Sequence, residues 1–309
     1  MPIEEEPSVA KRLLSAYLRR LREQRELTQA QAAAAANLSP FQLGRVESGE
    51  NTIKVNDLNA LLDVYAVPGP ARPEWMERSN QSRKRTDWWD AYRRLISREF
   101  RQLLAYESQA RILRNFEPSV VPGLLQTQNY ARTVLRSLTP LPEPDDDSDI
   151  DIETDPGAQA EADERVDALV RLRRKRQRRF HDLERPTKAH FILDEAVLHR
   201  RVGGVGTMRE QLQELKEASA RPNVKVHIIR FEDGLYEHWN EPYVLLEFHL
   251  DILFPALFRE SPHGDNFVKE SSIAKEPAMY LSSFTRLQEM APAERTAEVV
   301  DRAIARLDQ

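Results

Sequence analysis

Residues 28–49 constrain this chain more than any other window. Thr28 with Gln31 matches Ser/Thr-x-x-Glu/Gln, in which the first hydroxyl and the fourth side chain satisfy exposed N–H groups at a helix start. Ser39 with Gln42 repeats the pattern, and Pro40 takes the first helical position, where a missing N–H costs nothing. Asn37 lies between the two starts and tolerates the left-handed backbone that a sharp turn needs. The alanines from Ala32 to Ala36 favour helix and let neighbouring helices approach closely. The window therefore predicts two short helices and one tight turn.

Ala33, Leu38, Leu43 and Val46 are the apolar positions that can close a small core around that turn. Upstream, Leu14, Leu18 and Leu21 recur at helical spacing among Arg19, Arg20, Arg22 and Arg25. Downstream, Leu58, Leu61, Leu62 and Tyr65 form another amphipathic stripe. Four or five helices over residues 8–67 make an all-α module. Thr28-Gln29, the turn at Asn37, Ser39, Arg45, Glu47 and Gly49 resemble the Xre, or phage-repressor-like, helix-turn-helix family. Two departures stand out: Ala32 replaces the usual Leu, and Pro40-Phe41 replaces a more polar pair.

The resemblance implies DNA binding; a helical protein-interaction module is the other reading. In such a pair the second helix presents its N-terminal residues to base edges in the major groove. On a helix from Ser39, residues 40, 41, 44 and 45 share one face, which places Pro40 and Phe41 beside Arg45. Arg45 suits a bidentate contact to guanine, and Phe41 suits packing on a thymine methyl. Gln42 is open between cap and base reader. Gln29 resembles the family's phosphate-contacting Gln, at a helix N-terminus that favours an anion. Lys54 follows the reading helix within reach of the DNA backbone. Gly49 reads as a C-terminal cap and Glu47 as an internal hydrogen-bond or ion partner.

The net charge of −5 by itself argues against a nucleic-acid binder. Its distribution resolves this: residues 11–54 carry eight Lys/Arg and four Asp/Glu, a local +4, which leaves −9 elsewhere. The local field is the one DNA meets, and the acidic remainder predicts strongly salt-dependent binding. With 309 residues there is room for two domains. Cysteine is absent, so there are no disulfides and no thiolate metal sites. No long apolar run appears and residues 1–6 are acidic, which predicts a cytoplasmic protein, nucleoid-associated when bound to DNA.

Pro68 to Pro73 breaks the pattern, so 68–86 reads as a linker, with a short helix over 74–85 exposing Arg78, Arg83, Lys84 and Arg85. Residues 87–309 then form a regulatory α+β domain, with a helical first part and a small sheet covered by helices. Its first stretch reads helical from Trp88-Trp89 through Ile112 and Leu113, and again from about Gln126 to Leu138. Residues 140–157 form an acidic loop, expected disordered, with eight Asp/Glu between 143 and 155. Seven of the nine residues 171–179 are Arg or Lys, on a helix over 161–183. That basic segment is either a solvated face balanced by the loop or a second binding surface that the loop masks. Four β-rich runs follow, at 189–193, 224–231, 243–248 and 256–259. Between the first two, Thr207 with Glu210 suggests a capped helix to about Ala220. A last helix spans about 292–307.

Other chemistry is weakly signalled. Gly203-Gly204-x-Gly206 lacks the Lys-Ser/Thr of a nucleotide loop and reads as a glycine turn. The seven histidines show no metal-ligand spacing. Asp194-Glu195 follows a strand without a partner motif, so a helix N-terminal charge role is favoured over acid/base work. No Gly-x-Ser-x-Gly elbow exists. Trp88, Trp89 and Trp239 read as core or interface anchors, or as pocket walls.

Glu117-Pro118 through Pro122-Gly123-Leu124-Leu125-Gln126-Thr127 and Tyr130-Ala131-Arg132 carry a second resemblance. With Leu193 to Arg200, Gly203-Gly204 and Arg221 to Val224, they resemble the C-terminal domain of unknown function behind Xre-type modules in actinobacterial, WhiJ-like regulators. The acidic insert after Leu138 is longer than in that pattern. The resemblance implies a developmental transcriptional regulator, antitoxin-like, paired with a small BldB-type protein. It implies no catalytic residues, so the chain is expected not to be an enzyme and to hold no cofactor or metal. The candidate partner or ligand region is Trp88, Trp89, Glu117, Gln126, Tyr130, Tyr236 and Trp239. The expectation is a homodimeric repressor that binds operator DNA through two reading helices about 34 Å apart. A small-molecule-gated repressor, with Tyr236 and Trp239 in a pocket, is the alternative.

Overall fold

The fold is that of a computed structural model, described for residues 8–83, 87–139, 156–181, 187–248, 255–260, 266–268 and 275–307. The acidic segment expected over 140–157 lies, up to residue 155, outside the described residues, as do Lys84 and Arg85. The chain divides into two compact units, one built mainly from residues up to Asp90 with Gln102–Gln109, the other mainly from Ala110 onward.

The first unit begins with α1 (Val9–Gln24), α2 (Gln29–Ala35), α3 (Pro40–Glu47) and α4 (Val55–Val64). Ser8 caps α1, accepting from the Lys11 N–H, and Val9, Leu13, Leu14, Tyr17 and Leu18 face inward. Both expected capping boxes form: Gln31 N–H donates to Thr28 Oγ1, Gln42 N–H to Ser39 Oγ, and each Gln side chain accepts from its N-cap N–H. Asn37 takes φ +54°, the left-handed conformation expected of it. Ala32, Ala33, Leu43, Leu58, Leu61 and Leu62 are fully enclosed. Ala32, where a larger residue was the family expectation, leaves no exposed surface. The small side chain lets the helices draw together.

The stretch expected as a linker contains α5 (Arg72–Ser82). Trp75 meets the Tyr17 ring edge-on at 5.9 Å, and the Arg78 guanidinium lies 4.9 Å from the same ring centroid. Arg78, expected exposed, is therefore buried. Its charge is also held by Glu74 one turn back, at 2.7 Å. The helical unit thus runs past Val67 into α5.

The second unit is organised on a six-stranded sheet in the order β3-β2-β1-β4-β5-β6. The strands are β1 (Ile112–Glu117), β2 (Lys188–Asp194), β3 (Val224–Ile229), β4 (Tyr243–Glu247), β5 (Ala256–Arg259) and β6 (Asn266–Val268). The first three are parallel, and β4 to β6 continue antiparallel. Its helices are α7 (Gln128–Leu138), α8 (Pro156–His181), α9 (Ala196–His199), α10 (Gly204–Ser219), α11 (Glu276–Met290) and α12 (Thr296–Arg306), while α6 (Arg98–Glu107) falls mostly in the first unit. The sequence expectation of a small sheet covered by helices holds.

Four details differ from expectation. Ile112 and Leu113, read as helical, open the central strand β1, which is paired on both sides. Such pairing overrides local periodicity. The strand β6 and the helix α11 have no counterpart among the expected elements. The helix expected to start at Thr207 starts three residues earlier: Gly203 is its N-cap at φ +70° and no side-chain cap forms. Glu210 instead accepts from Asn129 Nδ2 at 2.9 Å.

Because side chains alternate along a strand, Phe116 points to one face of the sheet while Asn115 and Glu117 point to the other. On the Phe116 face, Ile192, Tyr243, Leu245 and Leu257 pack with Tyr280, Phe284 and Leu287 of α11. One polar chain runs through this layer. Arg114 Nε donates to Glu247 and Arg114 Nη1 to Gln288 Oε1. Gln288 Nε2 lies 2.8 Å from His190 Nδ1 and 3.3 Å from His227 Nε2. His227 Nδ1 faces the Ala291 carbonyl at 2.8 Å and must donate there, so its Nε2 is the acceptor.

Candidate nucleic-acid interface

The turn between α2 and α3 is fixed from inside by a buried ion pair. Glu47, at the end of α3, has only 2% of its side chain exposed. It receives Arg22 Nε at 2.8 Å and Arg22 Nη2 at 2.9 Å, a bidentate pair across to α1. Arg22 Nη1 caps the Leu27 carbonyl at 2.8 Å. The hydrogen bond to Glu47 raises the Arg22 pKa above its ordinary value, so the guanidinium stays charged. Gln29 Nε2 donates to the same carboxylate at 2.9 Å, which ties the start of α2 to the end of α3. Glu47 is the internal partner expected of it.

With that frame in place, α3 presents Pro40, Phe41 and Gln42 as exposed residues. Phe41 is 72% exposed, a large apolar ring left in water at the start of a helix. The Arg45 guanidinium lies over it, 5.7 Å from the ring centroid. Arg45 Nε donates to Glu50 Oε2 at 3.1 Å. Gln42 Oε1 accepts both the Ser39 N–H and the Ser39 hydroxyl, so the carbonyl half of its amide is spent on the cap. Lys54 is the exposed N-cap of α4, with no side-chain bond to the cap. Ser39, Pro40, Phe41, Gln42 and Arg45 thus come together on one helix. Gln29 joins them through Glu47, and Lys54 stands on the next helix. Glu50 is the member sequence reasoning missed. Gly49 at φ +76° turns the chain so that Glu50 meets Arg45, a return visible only once a left-handed Gly49 is assumed.

The C-terminal candidates separate. Trp88 and Trp89 belong to the first unit, where their rings pack edge-on at 5.4 Å and Trp89 is buried. In the second unit Glu117, Gln126 and Tyr130 are buried too. Their run is spent on internal bonds. Gln126 accepts from Arg173 Nη1 and donates to the Val121 carbonyl at 2.6 Å. The Val121 N–H donates to the Tyr130 hydroxyl at 3.1 Å. Gln211 of α10 donates to the Leu125 carbonyl and accepts the Thr127 N–H, while Gln177 of α8 donates to the carbonyls of Gly123 and Gln126. Burial pushes the Glu117 carboxyl well above its usual range and Arg173 down to about 10. Of the expected partner or ligand region, these three are thus buried side chains: Gln126 and Tyr130 hold the loop after β1 to α8 and α7, and Gln211 ties the same loop to α10.

Tyr236 is half-buried and donates to Asp194 Oδ2 at 2.6 Å. Trp239 is 53% exposed, with Phe231 and Leu235 exposed in the same connection between β3 and β4. A shallow surface depression is lined by Ile228, Arg230, Met290, Pro292, Arg295 and Val299, and by neither Tyr236 nor Trp239. Asp194 and Glu195 take local roles: Asp194 Oδ1 accepts the Ala196 N–H at the start of α9, and Glu195 accepts the Phe231 N–H. Among the described residues no cluster of three metal-ligating side chains occurs, and no helix is long and apolar enough to cross a membrane.

Two comparisons bear on this arrangement. Residues 13–75 match a family model described as a helix-turn-helix domain, which spans the whole Arg22–Glu47 frame and reaches into α5. Residues 100–302 match a model described as a domain of unknown function, DUF5753. No curated protein and no solved structure matches the chain.

Proposed function

We propose that this chain, which belongs to the DUF5753 family and carries a DNA-binding helix-turn-helix domain ahead of it, is a sequence-specific transcriptional repressor. The observation that carries the reading is the exposed Phe41–Arg45 pair on α3, held on a frame rigid enough to aim it. Arg45 reads a guanine through its O6 and N7, Phe41 packs on a neighbouring thymine methyl, and Gln29 and Lys54 hold the backbone. Gln42 serves the cap with its carbonyl and has its amide N–H groups left for a base. The chain acts as a homodimer on an operator whose half-sites lie one helical turn apart.

The DUF5753 domain, in this reading, docks a small protein partner of the BldB type, as in an antitoxin-like pair. Support for a docking role is the exposed apolar set Phe231, Leu235 and Trp239. The role is one of binding, with no catalytic step.

Selection of duplexes from a randomised pool by the full chain tests the DNA reading. Arg45→Ala should weaken binding to the selected duplex by about 1–3 kcal/mol and relax preference at one base pair. Gln29→Ala should weaken all duplexes alike. Equal losses on every sequence for Arg45→Ala would contradict base reading. The partner reading is tested by co-purification of the native complex with mass spectrometry. A bound metabolite in place of a small protein would move the domain to ligand gating.

A further inference from the structure

We propose that Glu50 is a positioning residue that decides which edge of Arg45 is offered to DNA. This rests on the reading of Arg45 as the guanine reader.

An arginine has five N–H donors, one on Nε and four on the two terminal nitrogens. It can meet guanine through its side, using Nε, or end-on through Nη1 and Nη2. Glu50 accepts from Arg45 Nε at 3.1 Å, which removes the side-on mode. The Phe41 ring, 5.7 Å from the guanidinium carbon, covers one face of the group. What remains is the Nη1/Nη2 edge, the pair that spans guanine O6 and N7.

Glu50 is itself held in place. The Gly49 N–H donates to the Val46 carbonyl at 3.1 Å and the Asn51 N–H to the Arg45 carbonyl at 2.9 Å. Lys11 Nζ donates to the Glu50 carbonyl at 2.6 Å, tying this bend to α1. The backbone that carries the carboxylate is therefore fixed, and the ion pair steadies the long Arg45 side chain, which lowers the ordering cost of the contact.

The same carboxylate is a negative charge on the surface that faces phosphates. It weakens attraction to DNA of any sequence while sharpening the contact to one base. Specificity is gained by disfavouring the wrong partners as well as by favouring the right one. Removing the charge should therefore move the two affinities in opposite senses, which loss of a purely structural contact would not do.

The test uses the full chain, a duplex selected by it from a randomised pool, and a scrambled duplex. Each guanine of the selected duplex is replaced in turn by 7-deazaguanine, which lacks the N7 acceptor. The unsubstituted protein should lose about tenfold or more at one guanine. Glu50→Ala should lose clearly less at that position and bind the scrambled duplex as tightly or more tightly. Glu50→Gln, which keeps an acceptor without the charge, should fall between in N7 sensitivity. Both variants should keep the parent melting temperature, since the pair is solvent-exposed. Full retention of N7 sensitivity in Glu50→Ala overturns the proposal, as does an equal loss on both duplexes. A selected duplex with no N7-sensitive guanine also overturns it. Failure of the chain to select any sequence is a different result: it removes the DNA reading itself, and this inference with it.

Discussion

At the scale of single residues, the part most open to sequence reading was the part with short-range causes. The Thr28–Gln31 and Ser39–Gln42 caps, the left-handed Asn37 and the Gly49 turn each depend on neighbours within four positions, so residue type and spacing sufficed. Glu47 was legible as an internal partner, but its mate was not: Arg22 lies 25 positions away, among several arginines of similar spacing. That pair carries a prediction. Glu47→Ala leaves Arg22 buried without its counter-charge and also releases Gln29. It should cost about 3–5 kcal/mol and lower the melting of the first unit by circular dichroism. A change under about 1 kcal/mol, the range of a surface pair, would mean that the pair is solvated in solution. Arg45→Ala touches no such network and should leave melting unchanged while binding falls.

Among the elements, the sequence showed β2 to β5 as β-rich runs bounded by turns, but not β1. Ile112 to Glu117 mixes apolar, basic and amide side chains, and only pairing with β2 and β4 makes it a strand. Asn115 illustrates the point. Read alone it suggests a turn, yet in place its amide donates to the Tyr243 carbonyl of β4 at 3.1 Å. The start of α10 was misjudged for a related reason. A capping pair at Thr207 and Glu210 is a local rule, and the helix begins instead at a glycine that can take a conformation other residues avoid. At Gly203, φ is +70° and an added Cβ would lie 2.8 Å from Thr133 Oγ1 and 2.9 Å from Thr207 Cγ2. Gly203→Ala should therefore destabilise the second unit by about 1–3 kcal/mol, whereas Gly206→Ala, with open space around it, should be neutral or mildly stabilising. Chemical denaturation of the two variants side by side checks this; equal midpoints would contradict it.

For the whole molecule, two features of distribution matter more than totals. Histidines are absent from residues 1–90, while His190 and His227 sit under α11 in the second unit. Burial pushes His190 down to about 4 and holds His227 below its ordinary value. Each accepts a hydrogen bond from Gln288, an arrangement that exists only while both rings are neutral. Unfolded histidine takes up a proton near pH 6.5, so as pH falls from there the unfolded state binds more protons than the folded one. Stability of the second unit should drop between about pH 6.5 and 4, by on the order of 1–2 kcal/mol once partial exposure is allowed for. Hydrogen exchange at β2 and β3 should rise over that window, and His190→Asn with His227→Asn should flatten the response. Charge is divided as unevenly, and that division was legible from residue counts alone: +4 over residues 11–54 against −9 elsewhere. The location of the buried polar chain was not, because it joins residues of four strands and one helix. Tryptophan placement adds a practical consequence. Trp75 and Trp89 are enclosed and Trp88 is partly covered, whereas Trp239 stands in water. Emission from this chain therefore divides into a blue, shielded component and a red one open to collisional quenchers such as acrylamide. Protection of the red component on adding a candidate partner would signal contact at the β3–β4 connection, so the native protein carries its own optical reporter.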